Sequence, residues 1–349
     1  MIAPPPPRDG RAHHGVAAAG QMGGVPLAAI AEDLTVRREA RRAMETRRRL
    51  NMVFFLGPAT IIVGLFFVLP VVVDIAMSFT DLGRDLRVTE ITTDNYERAL
   101  GVGDARQDRQ LPGVIARTVV YVGGTLLIFN TTFGLILALT TTALPSGSGT
   151  FFRAVWLLPR MSPSVVYAIL WIWSVHGGDT SLVNEILMGF FGATEPIDLR
   201  QLQPMWVIII ANGFIGASFG MIILTSAIRG IPEHLFHAAR CDGAGPLSIV
   251  RHITLPQLRW PLTYIVIWQT LSLMTSFEYI LLITGGGPFR ATTVYAIFIF
   301  QRAFGASGQY AYGAALAFFL IVPGVILALL LWRLSKMRTL MQRPRIEVH

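Results

Sequence analysis

Several things this chain has little of are informative. It has one cysteine, Cys241, in 349 residues. An internal disulfide and any cysteine-based metal site are therefore excluded. Charged residues make up only 14% of the sequence, against about a quarter in a water-soluble domain. No G-x-x-x-x-G-K-[ST] phosphate loop occurs, so the chain does not bind ATP in that way. Ser and His form no recognisable nucleophile arrangement. His13, His14, His176, His234, His237 and His252 show no metal-ligand spacing, so no catalysis, metal or cofactor is expected.

What is present is apolar surface in long blocks. Hydrophobic residues account for 53% of the chain, and they lie in runs of roughly twenty or more, the length that crosses a ~30 Å hydrocarbon layer as a helix. Because the runs are continuously apolar rather than alternating, barrel strands are a poor match. The sequence predicts an all-α integral membrane protein with six transmembrane helices near 52–79, 114–142, 154–174, 204–228, 262–284 and 310–333. Nothing at the N-terminus resembles a cleavable secretory signal, so the first span is expected to act as an uncleaved anchor. Residues 1–51 read as an irregular segment rich in proline, glycine and alanine followed by a basic helix carrying Arg37, Arg38, Arg41, Arg42, Arg47, Arg48 and Arg49. Such a helix suits an anionic lipid surface. Residues 52–335 form the membrane domain and 336–349 a short basic tail.

With both termini on the cytoplasmic side, twenty Lys/Arg fall there and nine on the other side, where eleven acids outnumber them. That is the positive-inside bias with the expected sign. The net charge of +8 flanks spans and forms no aromatic-interleaved basic face, so nucleic acid is not a predicted partner. Within the spans ionisable residues are almost missing. Asp74 lies toward the outer end of the first and Glu278 in the outer half of the fifth, neither with a buried basic partner, which makes a poor proton relay. Energy for uphill transport must enter from outside the chain.

Between the fourth and fifth spans lies a polar island, Ile231-Pro-Glu-His-Leu-Phe-His-Ala-Ala-Arg-Cys-Asp-Gly-Ala244, running on to Ile253-Thr-Leu-Pro256. Pro232 suits the first position of a helix, and Glu233 in its first turn is favoured by the helix dipole. Leu235, Ala238, Ala239 and Asp242 share one side at helical spacing, a narrow face with small residues at its middle. Gly243 stops the helix, Gly245-Pro246 restarts it, and Pro256 and Pro261 are expected to break it again. An interfacial helix resting on lipid is the plain alternative. The small face and the elaborate turns favour a handle that another protein grips in a groove.

These residues resemble the signature loop of permease subunits of binding-protein-dependent ABC importers, and Asp242-Gly243-Ala244 with Ile253-Thr-Leu-Pro256 is similar to the carbohydrate-importing branch. Phe151-Phe152-Arg153 before Leu158-Pro159 and Pro163, Leu282-Ile-Thr-Gly-Gly-Gly-Pro288, and Asn95-Tyr96 agree. The resemblance runs from about 52 to 335 and implies a coupling helix seated on a separate ATP-hydrolysing subunit. It further implies two such ATP-binding subunits, a second permease completing a heterodimer, an extracytoplasmic substrate-binding protein, and a place in the bacterial inner membrane. The ATPase-coupling residues it points to are Glu233, Leu235, His237, Ala238, Ala239, Asp242, Gly243, Ala244, Leu255 and Pro256. The family usually has Glu where this chain has His237, which removes a carboxylate contact that Glu233 or a changed partner would have to replace.

For the solute path, Gln269, Ser272, Ser276 and Tyr279 recur at three, four and three residues, on one face of a continuous fifth span, with Glu278 beside them. Asn212 and Tyr264 would face the same space. Hydrogen bonds and aromatic faces in an apolar cavity suit a sugar or polyol. Small polar residues also serve helix packing, as Gly216 and Gly220 are expected to do. The leading reading is a non-catalytic permease subunit of an ATP-driven sugar importer. The rivals are a self-sufficient carrier or channel, a membrane scaffold, and an intramembrane transferase. The first lacks buried charge and the last lacks an acid/base pair.

Overall fold

The computed structural model describes residues 47, 51–102 and 107–334. The basic N-terminal segment, apart from Arg47 and Asn51, and the tail 336–349 lie outside the described residues. Residues 1–71 and 72–349 form two units. Helix α1 (Asn51–Ser78) begins in the first and ends in the second, and in the first its apolar residues such as Phe54 and Phe66 are exposed.

The second unit is all helical among its described residues, apart from a single antiparallel bridge between Thr80 and Ile91. A short helix α2 (Asp94–Leu100) ends on Gly101 in the left-handed conformation, φ 68°. Asn95 ties it down by donating to Ser78 O (3.1 Å) and Thr80 O (2.7 Å), and the Tyr96 hydroxyl bonds Ser78 Oγ at 2.6 Å. Next comes the long helix α3 (Leu111–Ala143), then α4 (Ser146–Met161), α5 (Ser164–Val175) and α6 (Leu182–Phe191).

At the centre stands α7 (Pro204–Arg229), whose apolar window is 72% buried against 28% for α3. Small residues allow this. Gly220 on α7 lies against Gly134 Cα and Asn130 O on α3, where an added Cβ would sit 3.6 and 2.5 Å away. Removing side chains from a contact lets helix backbones approach closely in lipid, where packing rather than water drives association. Around α7 the core closes on Tyr121, Leu126, Ile208, Ile209, Leu273, Ile280, Val294 and Ile297.

After α7 come α8 (Glu233–Cys241), a helical stretch α9 at 246–257, α10 (Arg259–Thr275), α11 (Glu278–Ile283), α12 (Tyr295–Phe304) and α13 (Tyr310–Leu334). Four helices, α1, α3, α7 and α13, are long and apolar enough to cross a membrane, or five spans if α4 and α5 count as one.

Two expected spans are broken rather than continuous. The third, placed at 154–174, bends by 98° between α4 and α5. Pro163 is the cause, since the residue before a proline is pushed out of the α region, and Ser162 is extended at φ −72°, ψ 141°. The fifth, placed at 262–284, stops at Thr275. Ser276 is extended (ψ 115°) and a new helix begins at Glu278, leaving pieces of 17 and 6 residues. In the island, Pro256 does not break the chain. It sits in a helical turn, and the interruption falls at Leu258 (φ −83°, ψ 0°) before α10.

Candidate functional site

The island is a projection held firmly at its base. Ile231, Thr254 and Leu258 are buried, and Leu258 joins Ala138, Leu224, Ile228 and Ile265 in an apolar cluster. The helix α8 itself buries no residue. Pro232 stands just before its first turn, which begins at Glu233, one residue later than the sequence suggested. The stop is made by three backbone bonds: Asp242 N–H to Ala238 O (3.0 Å), Gly243 N–H to Arg240 O (3.0 Å) and Ala244 N–H to Ala239 O (2.9 Å). Gly243 has φ 77°, a conformation that glycine adopts without penalty.

The expected coupling residues divide between two faces. Glu233, His237 and Ala244 line a cleft of about 820 Å³, with Phe236, Arg240, Arg229 and the α3 end at Thr142 and Ala143. Glu233 and His237 are one helical turn apart and so share that face. Leu235, Ala238, Ala239 and Asp242 do not line the cleft. Ala238 and Asp242 are exposed, while Leu235 and Ala239 are half-buried. Gly243 and Pro256 are also exposed, and Leu255 is half-buried.

The expected solute residues do not share one helical face, because the helix ends before Ser276. Gln269 is buried on α10 and donates from Nε2 to Gly216 O of α7 at 3.1 Å. Ser272 is exposed on the same helix. Asn212 on α7 is buried and donates to Ser276 Oγ at 3.0 Å and to the Tyr121 hydroxyl. This node binds α3 and α7 to the break after α10. Glu278 is exposed and accepts from Ser164 at the start of α5. Tyr279 packs edge-on against Tyr167, ring centroids 5.7 Å apart. Tyr264 is exposed and stacks on Trp268. The two broken spans thus meet at their breaks, through Ser164 and Glu278.

Sequence reasoning missed Tyr121 and Ser164, which partner the chosen residues, and the ion pair of Asp108. That carboxylate is buried, takes Arg302 Nη2 at 2.7 Å and the Tyr312 hydroxyl at 3.3 Å, and lies 4.0 Å from Arg98. Arg98 also covers the Tyr312 ring at 4.1 Å. The partners are 194 residues apart, so no local pattern announces them. Among the described residues no cluster of His, Cys, Asp or Glu could hold a metal ion.

Comparison with known proteins bears on this arrangement. Residues 130–336 match the family described as the binding-protein-dependent transport system inner membrane component. The chain belongs to that family. A probable ABC transporter permease protein of Pyrococcus horikoshii is 30% identical over 290 residues, covering 80% of this chain and 93% of that protein. An alpha-glucoside transport system permease protein of Rhizobium meliloti is 27% identical, covering 84% of each. A solved bacterial alginate ABC transporter, in complex with an alginate pentasaccharide-bound periplasmic protein, contains a chain of the same fold. Its TM-score is 0.70 at 22% identity, covering 85% of this chain and 98% of that one. The protein is a multi-pass inner-membrane permease subunit of an ABC importer, and ATP is hydrolysed in a separate subunit.

Proposed function

We propose that this permease carries a sugar or polyol inward, with the 231–256 loop receiving the stroke of the ATPase. The observation that carries the reading is α8 itself: a nine-residue helix with no buried residue, fixed at both ends by buried anchors and a hydrogen-bonded glycine stop. A lever needs that combination of a rigid base and a free face. Leu235, Ala238, Ala239 and Asp242 form the face that enters a groove on the ATPase, the helix-in-groove mode of recognition. Glu233 supplies the carboxylate that the family has at position 237, one turn earlier on the cleft face. His237, Gly243, Ala244, Leu255 and Pro256 complete the joint.

The chain crosses the bilayer six times with both termini cytoplasmic, the two broken spans counting as one crossing each. It pairs with a second, different permease over two ATP-binding subunits and takes solute from an extracytoplasmic binding protein. Asn212, Ser272, Ser276, Glu278 and Tyr279 line the solute path where the broken spans meet, and Gln269 braces that wall against α7. Support for a carbohydrate comes from the alpha-glucoside permease relative and from the hydroxyl, amide and aromatic groups at the breaks.

Cysteine pairs across the joint test the reading. With Cys241 replaced, cysteines at Ala238 or Asp242 are expected to cross-link to the ATPase subunit in ATP-dependent fashion, and uptake of labelled sugars by the complete system is expected to need both ATP and binding protein. No cross-link from either position, or sugar uptake by this chain alone, would overturn it.

A further inference from the structure

The interior of α3 contains polar atoms that this structure leaves without partners. Residues Thr125–Phe133 wind as a π-helix, closed by Gly134 N–H bonding to Phe129 O. Within this one segment the Thr125 hydroxyl, the Thr131 hydroxyl and both amide atoms of Asn130 are buried and make no hydrogen bond. Asn130 is 1% exposed and Thr125 is fully buried. Elsewhere on the same helix threonines behave differently. Thr118, Thr140, Thr141 and Thr142 each bond back to the carbonyl four residues earlier, at 2.8, 2.8, 2.7 and 2.6 Å. The π winding offsets the carbonyls from their α-helical positions, and Thr131, inside it, loses that bond.

Asn130 is also where α3 presses hardest on α7. A Cβ added at Gly216 would meet its side-chain oxygen at 1.9 Å, and one at Gly220 would meet its carbonyl at 2.5 Å. Buried polar groups are almost always paired, and in lipid there is no bulk water to pair them. An amide that is unsatisfied here and pressed into a glycine groove is therefore informative about a second arrangement.

We propose that the π segment 125–133 is the hinge of the transport cycle and that Asn130 is its positioning residue. In the second state the segment rewinds as α-helix, Thr131 recovers its bond to the fourth carbonyl back, and Asn130 leaves the Gly216 contact for a partner. Rewinding turns the Tyr121 end of α3 relative to the Gly134 end. Tyr121 holds Asn212 and lies 3.5 Å from Ser276 Oγ, so the turn opens or closes the node at the break after α10. This rests on the solute path assigned above. It assigns to α3 a register change that the path alone does not require.

The test uses the complete importer in lipid nanodiscs, with MgATP as the probe and hydrolysis and thermal midpoint as readouts. Hydrolysis by the wild-type complex establishes the permease–ATPase coupling, so a failure there belongs to the function proposed above and not to this hinge. Asn130→Leu removes an unsatisfied amide and is expected to leave the midpoint equal or higher while hydrolysis falls at least tenfold. Thr131→Val removes a hydroxyl unpaired in this state. It is expected to leave the midpoint unchanged and slow hydrolysis several-fold, and it decides the matter alone if Asn130→Leu does not fold. Wild-type hydrolysis in either variant overturns the proposal. So does a fall in the midpoint of Thr131→Val, which would mean that the hydroxyl already has a partner in this state.

Discussion

The stop at Gly243 permits a test in which conformation is separated from bulk. Its φ is 77° and a Cβ built on it meets nothing within 4 Å, so Gly243→Ala adds no clash. A left-handed conformation costs an L-residue about 1–2 kcal/mol. At 1.4 kcal/mol per tenfold, that is roughly five- to thirty-fold in the weight of the turn. Gly243→Pro is harsher, because proline fixes φ near about −65° and deletes the N–H that reaches Arg240 O at 3.0 Å. Gly245 provides the control. It also faces open space, but at φ −72°, ψ 165°, where alanine is at ease. All three variants are expected in the membrane at wild-type levels, measured by quantitative blotting. In vesicles with the ATPase and binding protein, ATP-linked uptake should be unchanged in Gly245→Ala, reduced several-fold in Gly243→Ala and abolished in Gly243→Pro. Normal uptake in Gly243→Pro would refute the reasoning, as would Gly245→Ala proving as harmful as Gly243→Ala.

Three further outcomes follow from particular contacts. Asp108→Asn leaves Arg302, whose side chain is only 21% exposed, without its carboxylate and with only the Gln110 amide oxygen at 3.3 Å, and should cost about 3 kcal/mol in thermal unfolding; adding Arg302→Met should return part of that loss. Gln269→Ala gives up the bond to Gly216 O and should lower stability by about 1 kcal/mol, with less effect on sugar affinity than Ser276→Ala; altered selectivity at unchanged stability would put that amide in contact with solute. The Asp81 carboxyl is held below its ordinary value, chiefly by the Thr89 hydroxyl and then by the Thr89 and Glu90 amides. Because the folded value is depressed, its contribution is present above the ordinary value of about 3.9 and is lost as pH falls through the lower folded one. Hydrogen exchange should therefore show the 79–92 loop closed at pH 5 and loosening only below about pH 4, and Thr89→Val should move that onset upward; loosening already between pH 5 and 6 would contradict the assignment.

Much of the architecture was legible because lipid imposes few choices. Runs near 52–79, 114–142, 204–228 and 310–333 appear as α1, α3, α7 and α13 within three residues at either end, since an apolar block of that length must satisfy its backbone internally. The island was legible for a different reason. Its turn residues are local signals, and Gly243 takes the left-handed conformation that a glycine stop supplies. Pro256 misled because it falls at the end of a helical stretch that has already wound through a π turn at Val250–Thr254, and the chain runs through it to Leu258.

The two broken spans show where single-sequence reading reaches its limit. At Ser162-Pro163 the break has a local cause, and the proline was available to be weighed as a helix end instead of an incident within a span. At Ser276 no local residue demands a break. The break is instead tied through the Ser276 side chain to α3 and α7. Asn212 donates to the Ser276 hydroxyl at 3.0 Å, and Tyr121 stands 3.5 Å from it. Those partners lie 64 and 155 residues away. The three-four-three spacing of Gln269, Ser272, Ser276 and Tyr279 presupposed an unbroken helix, so it grouped residues that the fold separates. What periodicity could not supply was that Asn212, on another helix, holds the extended residue that ends the stripe.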